Sequence, residues 1–145
     1  MKKKLTIGIF LALAVVLVAS IVGVGVADAG KPVRTVTAYI DYIGNGDGAG
    51  NVTLTVSWDN YGAWGIQWRL DRQPEVGFPP IETIATNTTW FESGRTTSGS
   101  ETLITIPNQP CPYDYFANVY LVRKSGKHIS WASGFDRVTA NCSAN

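Results

Sequence analysis

The chain has 145 residues, and its 12 lysines and arginines nearly balance its 11 aspartates and glutamates, giving a formal net charge of +1. This balance argues against proteins that bind nucleic acid or an anionic membrane through a broad basic surface. Two cysteines and one histidine are too few ligands for a zinc site, so neither a metal nor a cofactor is expected.

The first residues have the pattern of an export signal. Three lysines follow Met1, residues 5–26 are uncharged and mostly apolar, and Ala27-Asp28-Ala29 supplies small residues next. This order predicts a helical secretory signal peptide, residues 1–29, that is cleaved after Ala29. The apolar run is also long enough to cross a bilayer, so a retained membrane anchor is the alternative. In either case we expect the remainder to be secreted or displayed at the cell surface.

The remainder, residues 30–145, has nine basic and ten acidic residues and the size of one ordinary domain. Its short stretches of Val, Ile, Thr and aromatic residues alternate with Gly, Pro, Asn and Ser clusters, which predicts an all-β sandwich of about seven antiparallel strands. Strict alternation is clearest from Val52 to Trp58. A rigid corner is predicted at 107–112 and a hairpin turn at 124–127. The predicted strand segments are 36–42, 51–58, 66–71, 81–84, 88–92, 102–106, 115–123 and 128–140.

Cys111 and Cys142 are the only cysteines. An oxidising compartment makes a disulfide between them the expected state. Folding the chain about Ser125 and Gly126 brings residues near 111 opposite residues near 141, which independently favours the same pairing. The bond would close a loop of about 30 residues and contribute about 3–4 kcal/mol in the loop-entropy model.

Three segments resemble the fibronectin type III domain. Val52-Thr53-Leu54-Thr55-Val56-Ser57-Trp58 is similar to its second strand, and Trp68 matches the inward aromatic residue of its third strand. The sixth strand of that family begins with a tyrosine corner, in which a tyrosine hydroxyl bonds upstream backbone. Tyr113 and Tyr115 both fit that position. The resemblance covers about residues 33–140 and implies an immunoglobulin-like sandwich used in adhesion, ligand display or spacing, although most type III domains lack a disulfide.

Catalytic and metal-binding patterns are weak. His128 follows a turn rich in lysine, and no G-x-S-x-G motif is present, so we expect no enzyme activity. Asn45, Asp47 and Asn51 offer oxygen ligands in a glycine-rich loop. The loop lacks the EF-hand order, which favours an ordinary turn over a calcium site.

Aromatic residues give the clearest binding signal. Alternation places Trp58 and Trp68 in the core. Other aromatic residues fall in loops or on the outward side of a strand and are candidate ligand-binding anchors, although covering a loop base is the alternative. These candidates are Tyr61, Trp64, Trp90, Phe116 and Tyr120.

Three N-x-[ST] sequons begin at Asn51, Asn87 and Asn141. They predict a glycoprotein only in a glycosylating host. Asn87 is the preferred site because its surroundings suggest a loop, and Asn51 is the second.

These features together predict a secreted or cell-surface, non-catalytic interaction or adhesion module that binds an extracellular protein or polysaccharide. One alternative is a carbohydrate-binding module that stacks sugars on Trp64 and Trp90. Another is an extracellular filament subunit whose first strand, residues 33–42, pairs with an open sheet edge of its neighbour.

Overall fold

The computed structural model describes residues 32–77 and 79–142, so the predicted signal peptide lies outside the described residues. Within these two ranges the chain forms β-strands and no helix. The described residues therefore contain no helix long and apolar enough to cross a membrane. The strands are β1 (Thr35–Gly44), β2 (Ala49–Asp59), β3 (Gly65–Pro74), β4 (Glu82–Trp90), β5 (Gly99–Pro110), β6 (Tyr113–Val122) and β7 (His128–Ala140).

The strands form two antiparallel sheets, ordered β1-β2-β5 and β4-β3-β6-β7. The prediction of an all-β sandwich of antiparallel strands is therefore confirmed. Immunoglobulin constant domains place their fourth strand in the sheet of the first two, whereas β4 pairs with β3 here. The arrangement is compatible with an immunoglobulin-like or type III-like domain.

The core lies between the sheets and follows the period of two that the sequence predicts. Val52, Leu54 and Val56 are fully buried, and Trp58 and Trp68 are nearly so. Inward residues of β3 and β6 complete the centre of the core: Ile66, Leu70, Ala117, Val119 and Leu121.

Strand β1 is at the edge of its sheet and lies against β7. A Cβ atom at Gly134 would sit 2.8 Å from the backbone nitrogen of Ala38, so this close approach requires glycine. The Asp136 carboxylate accepts a hydrogen bond of 2.8 Å from the backbone N–H of Ile40. An edge N–H that could pair with another chain is thus satisfied within the molecule.

Two segments differ from the predicted strands. The predicted segments 81–84 and 88–92 fall in one strand, β4. The sequence suggested two segments because β4 is an edge strand, in which residues such as Thr86 and Asn87 stay exposed and apolar residues do not alternate. The predicted corner at 107–112 is wrong over its first four residues, where β5 continues and Pro110 pairs with Ala49. Proline is tolerated there because β5 is the edge strand of its sheet.

Tyr115, rather than Tyr113, forms the tyrosine corner. Its side chain is fully buried, and its hydroxyl donates a hydrogen bond of 2.6 Å to the carbonyl oxygen of Pro110. Burial raises the pKa of the Tyr115 hydroxyl, which therefore stays protonated and donating. Tyr113 is only half-buried.

The final hairpin agrees with the sequence prediction. The N–H of Arg123 donates to the carbonyl of Lys127 at 2.9 Å and closes the turn. Because Tyr113 pairs with Ala140 at the other end of the hairpin, the two cysteines meet there. The predicted disulfide joins them, with Cα atoms 5.2 Å apart.

Candidate functional site

Three connections meet at one end of the sandwich, which we term the loop end. They are residues 60–64 between β2 and β3, residues 91–98 between β4 and β5, and residues 123–127 between β6 and β7. The chain also enters β1 here, and the Asn60 side-chain amide donates a hydrogen bond of 2.7 Å to the carbonyl of Val33.

Backbone hydrogen bonds tie these connections together. Ala63 and Thr96 each donate to the carbonyl of the other at 2.9 Å, which joins the first two loops. The N–H of Trp64 donates to the carbonyl of Val122 at 2.9 Å, which joins the first loop to the last strand pair. A surface fixed in this way loses less conformational entropy when it binds a ligand.

A groove of about 540 Å³ opens at the loop end, and basic side chains surround it. We term it the cationic groove. Among the described residues, no acidic side chain lines it. A count of charges along the sequence does not reveal it, because its basic residues come from three separate parts of the chain that only the fold brings together. They are Arg34, Arg95, Arg123 and Lys124, and Tyr61, Gly62 and Trp64 also line the groove.

Aromatic rings and a glycine hold three of these cations. The Lys124 Nζ lies 5.3 Å from the centre of the Trp64 ring, and the Arg34 guanidinium lies 5.7 Å from that of Tyr61. The guanidinium of Arg95 packs on Gly62, where a Cβ atom would overlap it. These contacts position the side chains and leave their positive charges uncompensated, because a ring face carries a quadrupole and no net charge.

The remaining arginines of the described residues are paired with carboxylates away from the groove. By contrast, no carboxylate of the described residues lies within ion-pair distance of the four groove cations. A domain of nearly balanced charge therefore concentrates unpaired positive charge at one place. The paired arginines are Arg69 with Asp71 at 2.7 Å, Arg72 with Glu82 at 2.9 Å, and Arg137 with Asp114 at 2.6 Å.

Trp131, which the sequence analysis did not single out, projects from β7 beside this end. It is 93% exposed and has a φ of 63°. The Tyr61 hydroxyl donates a hydrogen bond of 2.8 Å to the Trp131 carbonyl, which links the projecting segment to the wall of the cationic groove. An indole so exposed is the kind of side chain that anchors a partner.

The exposure of Trp131 comes from an irregularity in strand pairing. Tyr120 pairs with Ser133 and Val122 pairs with His128, so residues 129–132 lie opposite a single residue of β6. Such a bulge re-aims side chains. The sequence predicts a continuous strand over this segment, so alternation alone could not reveal the outward indole.

The predicted loop anchors have different environments. Tyr61 is 6% exposed and forms part of the groove wall without offering a free ring face. Trp64 is half-buried and lines the cationic groove. Trp90 is 49% exposed and lines a second groove with Phe91 and Glu92. Trp64 and Trp90 line different grooves, although Trp90 pairs with Gly65, the residue after Trp64. A sugar-stacking surface shared by the two indoles stays a prediction.

The outer face of β6 and β7 carries the predicted Phe116 and Tyr120, together with Phe135, which was not predicted. Phe116 packs under Arg137 at 5.5 Å, and Tyr120 stacks on His128 with ring centres 4.5 Å apart. Phe135 is 61% exposed. We term Phe116, Tyr120 and Phe135 the aromatic sheet face. It offers partly covered rings rather than a groove with unpaired charge.

Asp114 fixes one end of this face. Burial raises the pKa of its carboxyl, but hydrogen bonds from Thr139 and Arg137 and the positive charge of Arg137 outweigh burial, so the pKa lies below its ordinary value. The two hydrogen bonds are both 2.6 Å long. The carboxylate therefore serves to hold β6 and β7 together in its ionised form.

The predicted glycosylation sites lie in strands. The loop context expected for Asn87 is wrong, because Asn87 is within the edge strand β4, where it is exposed. Asn51 is half-buried in β2. Modification of either residue stays a prediction.

The glycine-rich loop after β1 has an ordinary turn. The Asp47 carboxylate accepts a hydrogen bond of 3.2 Å from the N–H of Ala49, two residues later. In the part of the chain that the structure describes, no group of three or more His, Cys, Asp or Glu side chains could hold a metal ion.

Comparison with protein-family models, with curated proteins and with solved structures gives no match to this chain. Any statement about function therefore depends on the geometry of the loop end and of the aromatic sheet face.

Proposed function

We propose that this protein is an exported, non-catalytic binding module of the immunoglobulin-like, type III-like kind, which binds an extracellular polysaccharide at its loop end. Three features support the family proposal: the two-sheet strand order, the buried Trp58, and the tyrosine corner of Tyr115. The disulfide is consistent with an extracellular protein.

The cationic groove is the observation that carries the proposal. It is concave, and loops joined by backbone hydrogen bonds frame it. Its lining combines the Trp64 ring with charged and polar groups. Unpaired cations beside an aromatic ring favour a ligand that supplies both anionic groups and the apolar face of a sugar.

The filament alternative draws less support from the described residues. Its expected donor strand, β1, already pairs with β2 and contributes the Ile40 N–H to Asp136 of its own chain. Each sheet has two edge strands, and since β1 and β7 lie against each other, the open edges are those of β4 and β5. A filament would therefore have to use these edges.

Retention in native gels that contain a soluble polysaccharide tests the binding proposal. We expect Trp64→Ala to weaken retention by about tenfold, the cost of a central aromatic anchor. Phe135→Ala on the aromatic sheet face is the matched control and should change retention less than about twofold. Thermal melts establish that both variants are folded. Weakening by Phe135→Ala alone, or retention of neither the parent protein nor a variant on any polysaccharide, would contradict the proposal.

A further inference from the structure

The charges at the loop end indicate the class of polysaccharide. Four cations line one groove, no acidic residue of the described chain lines it, and the three ion pairs of the described residues all lie elsewhere. Like charges brought together without counterions repel one another, so the groove favours any ligand that supplies negative charge.

The donors of the groove are available for such a ligand. Within the described residues, no side-chain hydrogen bond or ion pair engages Arg34, Arg95, Arg123 or Lys124. A guanidinium presents a planar fork of N–H donors that matches the paired oxygens of carboxylate and sulfate groups. Gly62 leaves room for the Arg95 guanidinium, and the rings of Tyr61 and Trp64 hold Arg34 and Lys124 over the groove wall.

We infer that the cationic groove binds the sulfate or carboxylate groups of an acidic polysaccharide, an inference that rests on the proposed function. Arg95 and Arg123 bind the anionic groups, Lys124 and Arg34 add charge at the rim, and the Trp64 ring contacts the sugar. Residues 30–145 as a whole have one more acidic than basic residue, so the charge outside the groove does not favour a long nucleic acid backbone. A polysaccharide that places one or two anionic groups in the groove fits this local concentration of positive charge.

Affinity measurements with dextran sulfate, polygalacturonate and neutral dextran test this inference. We expect both charged polymers to bind and neutral dextran to bind at least tenfold more weakly. Arg95→Gln and Arg123→Gln should each reduce affinity by about tenfold, as expected for loss of a charge-assisted hydrogen bond. Lys127→Gln removes the same charge from the same hairpin outside the groove lining and should change affinity less than about twofold.

Two further measurements do not depend on removing a charge. Gly62→Ala keeps every charge and displaces the Arg95 guanidinium, so it should weaken binding of dextran sulfate several-fold at an unchanged net charge. A rise in sodium chloride from about 20 to 200 mM should weaken binding at least tenfold, because salt screens exposed charges.

The outcomes separate this inference from the proposed function. One contrary outcome is that neutral and sulfated dextran bind equally, with binding that is lost in Trp64→Ala and insensitive to salt. This result would contradict the inference that the ligand is acidic, while the proposed function of polysaccharide binding would stand. Absence of binding to all three polymers would overturn the acidic ligand, and absence of retention on every polysaccharide in the native gels would overturn both. Tighter binding to vesicles of anionic phospholipid, or to single-stranded DNA, than to either charged polysaccharide would also overturn the inference.

Discussion

Replacement of Tyr115 by phenylalanine removes one hydroxyl and leaves the ring in place. That hydroxyl is buried and donates to the Pro110 carbonyl at 2.6 Å, so its loss leaves a partly buried carbonyl without this donor. Removal of one partner of a buried hydrogen bond costs about 1–3 kcal/mol. The ring keeps its stacking on Tyr42, with centres 5.9 Å apart, so little packing energy is lost. We therefore expect the free energy of unfolding to fall by about 1–3 kcal/mol.

Urea unfolding followed by tryptophan fluorescence measures this change. With an m-value of about 1–3 kcal/mol per molar for a small domain, the midpoint should fall by roughly 1 M at an unchanged slope. Tyr113→Phe removes the same atom from a half-buried tyrosine on the same strand, and its effect should stay within about 0.5 kcal/mol. Equal effects of the two substitutions, or a larger effect at Tyr113, would refute the assignment of Tyr115 to the corner.

Two further predictions concern stability. Substitution of both Cys111 and Cys142 by alanine should lower the free energy of unfolding by about 3–4 kcal/mol, since the bond joins residues 31 apart in sequence; a melt that coincides with that of the oxidised parent would contradict this. Asp114 should make stability sensitive to acid. Its folded pKa lies below the ordinary value of 3.8, so its contribution is fully present above that value and is lost as pH falls through the folded pKa. Asp114→Asn should flatten the fall in melting temperature between about pH 5 and 2, and an unchanged pH profile would show that the carboxylate is not responsible.

The structure was easiest to predict from the sequence where burial of one strand face, or the geometry of a turn, alone determines the position of each residue. The inward set from Val52 to Trp58 could be predicted because burial on one face imposes alternation. The disulfide could be predicted because a hairpin turn sets the opposing residues in register. Strand β4 appeared as two fragments, since an edge strand with exposed polar residues carries little periodicity.

The candidate site was harder to predict, because its members come from separate connections. Nothing in the sequence near Arg34 or Arg95 indicates that they share a groove with Arg123. Trp131 was not predicted for a different reason. The bulge at 129–132 interrupts the regular alternation of outward and inward residues that a continuous strand would show. Trp64 could be proposed, since a tryptophan in a glycine-containing loop is an evident candidate anchor.

The most direct test of the loop end as the ligand-binding surface is a map of backbone amide chemical shifts during titration with a short dextran sulfate oligosaccharide. We expect the largest changes in residues 60–64 and 123–127 and at Arg95, with small changes at Phe116 and Phe135 on the aromatic sheet face. Changes concentrated on that sheet face, with the loop end unaffected, would contradict the account.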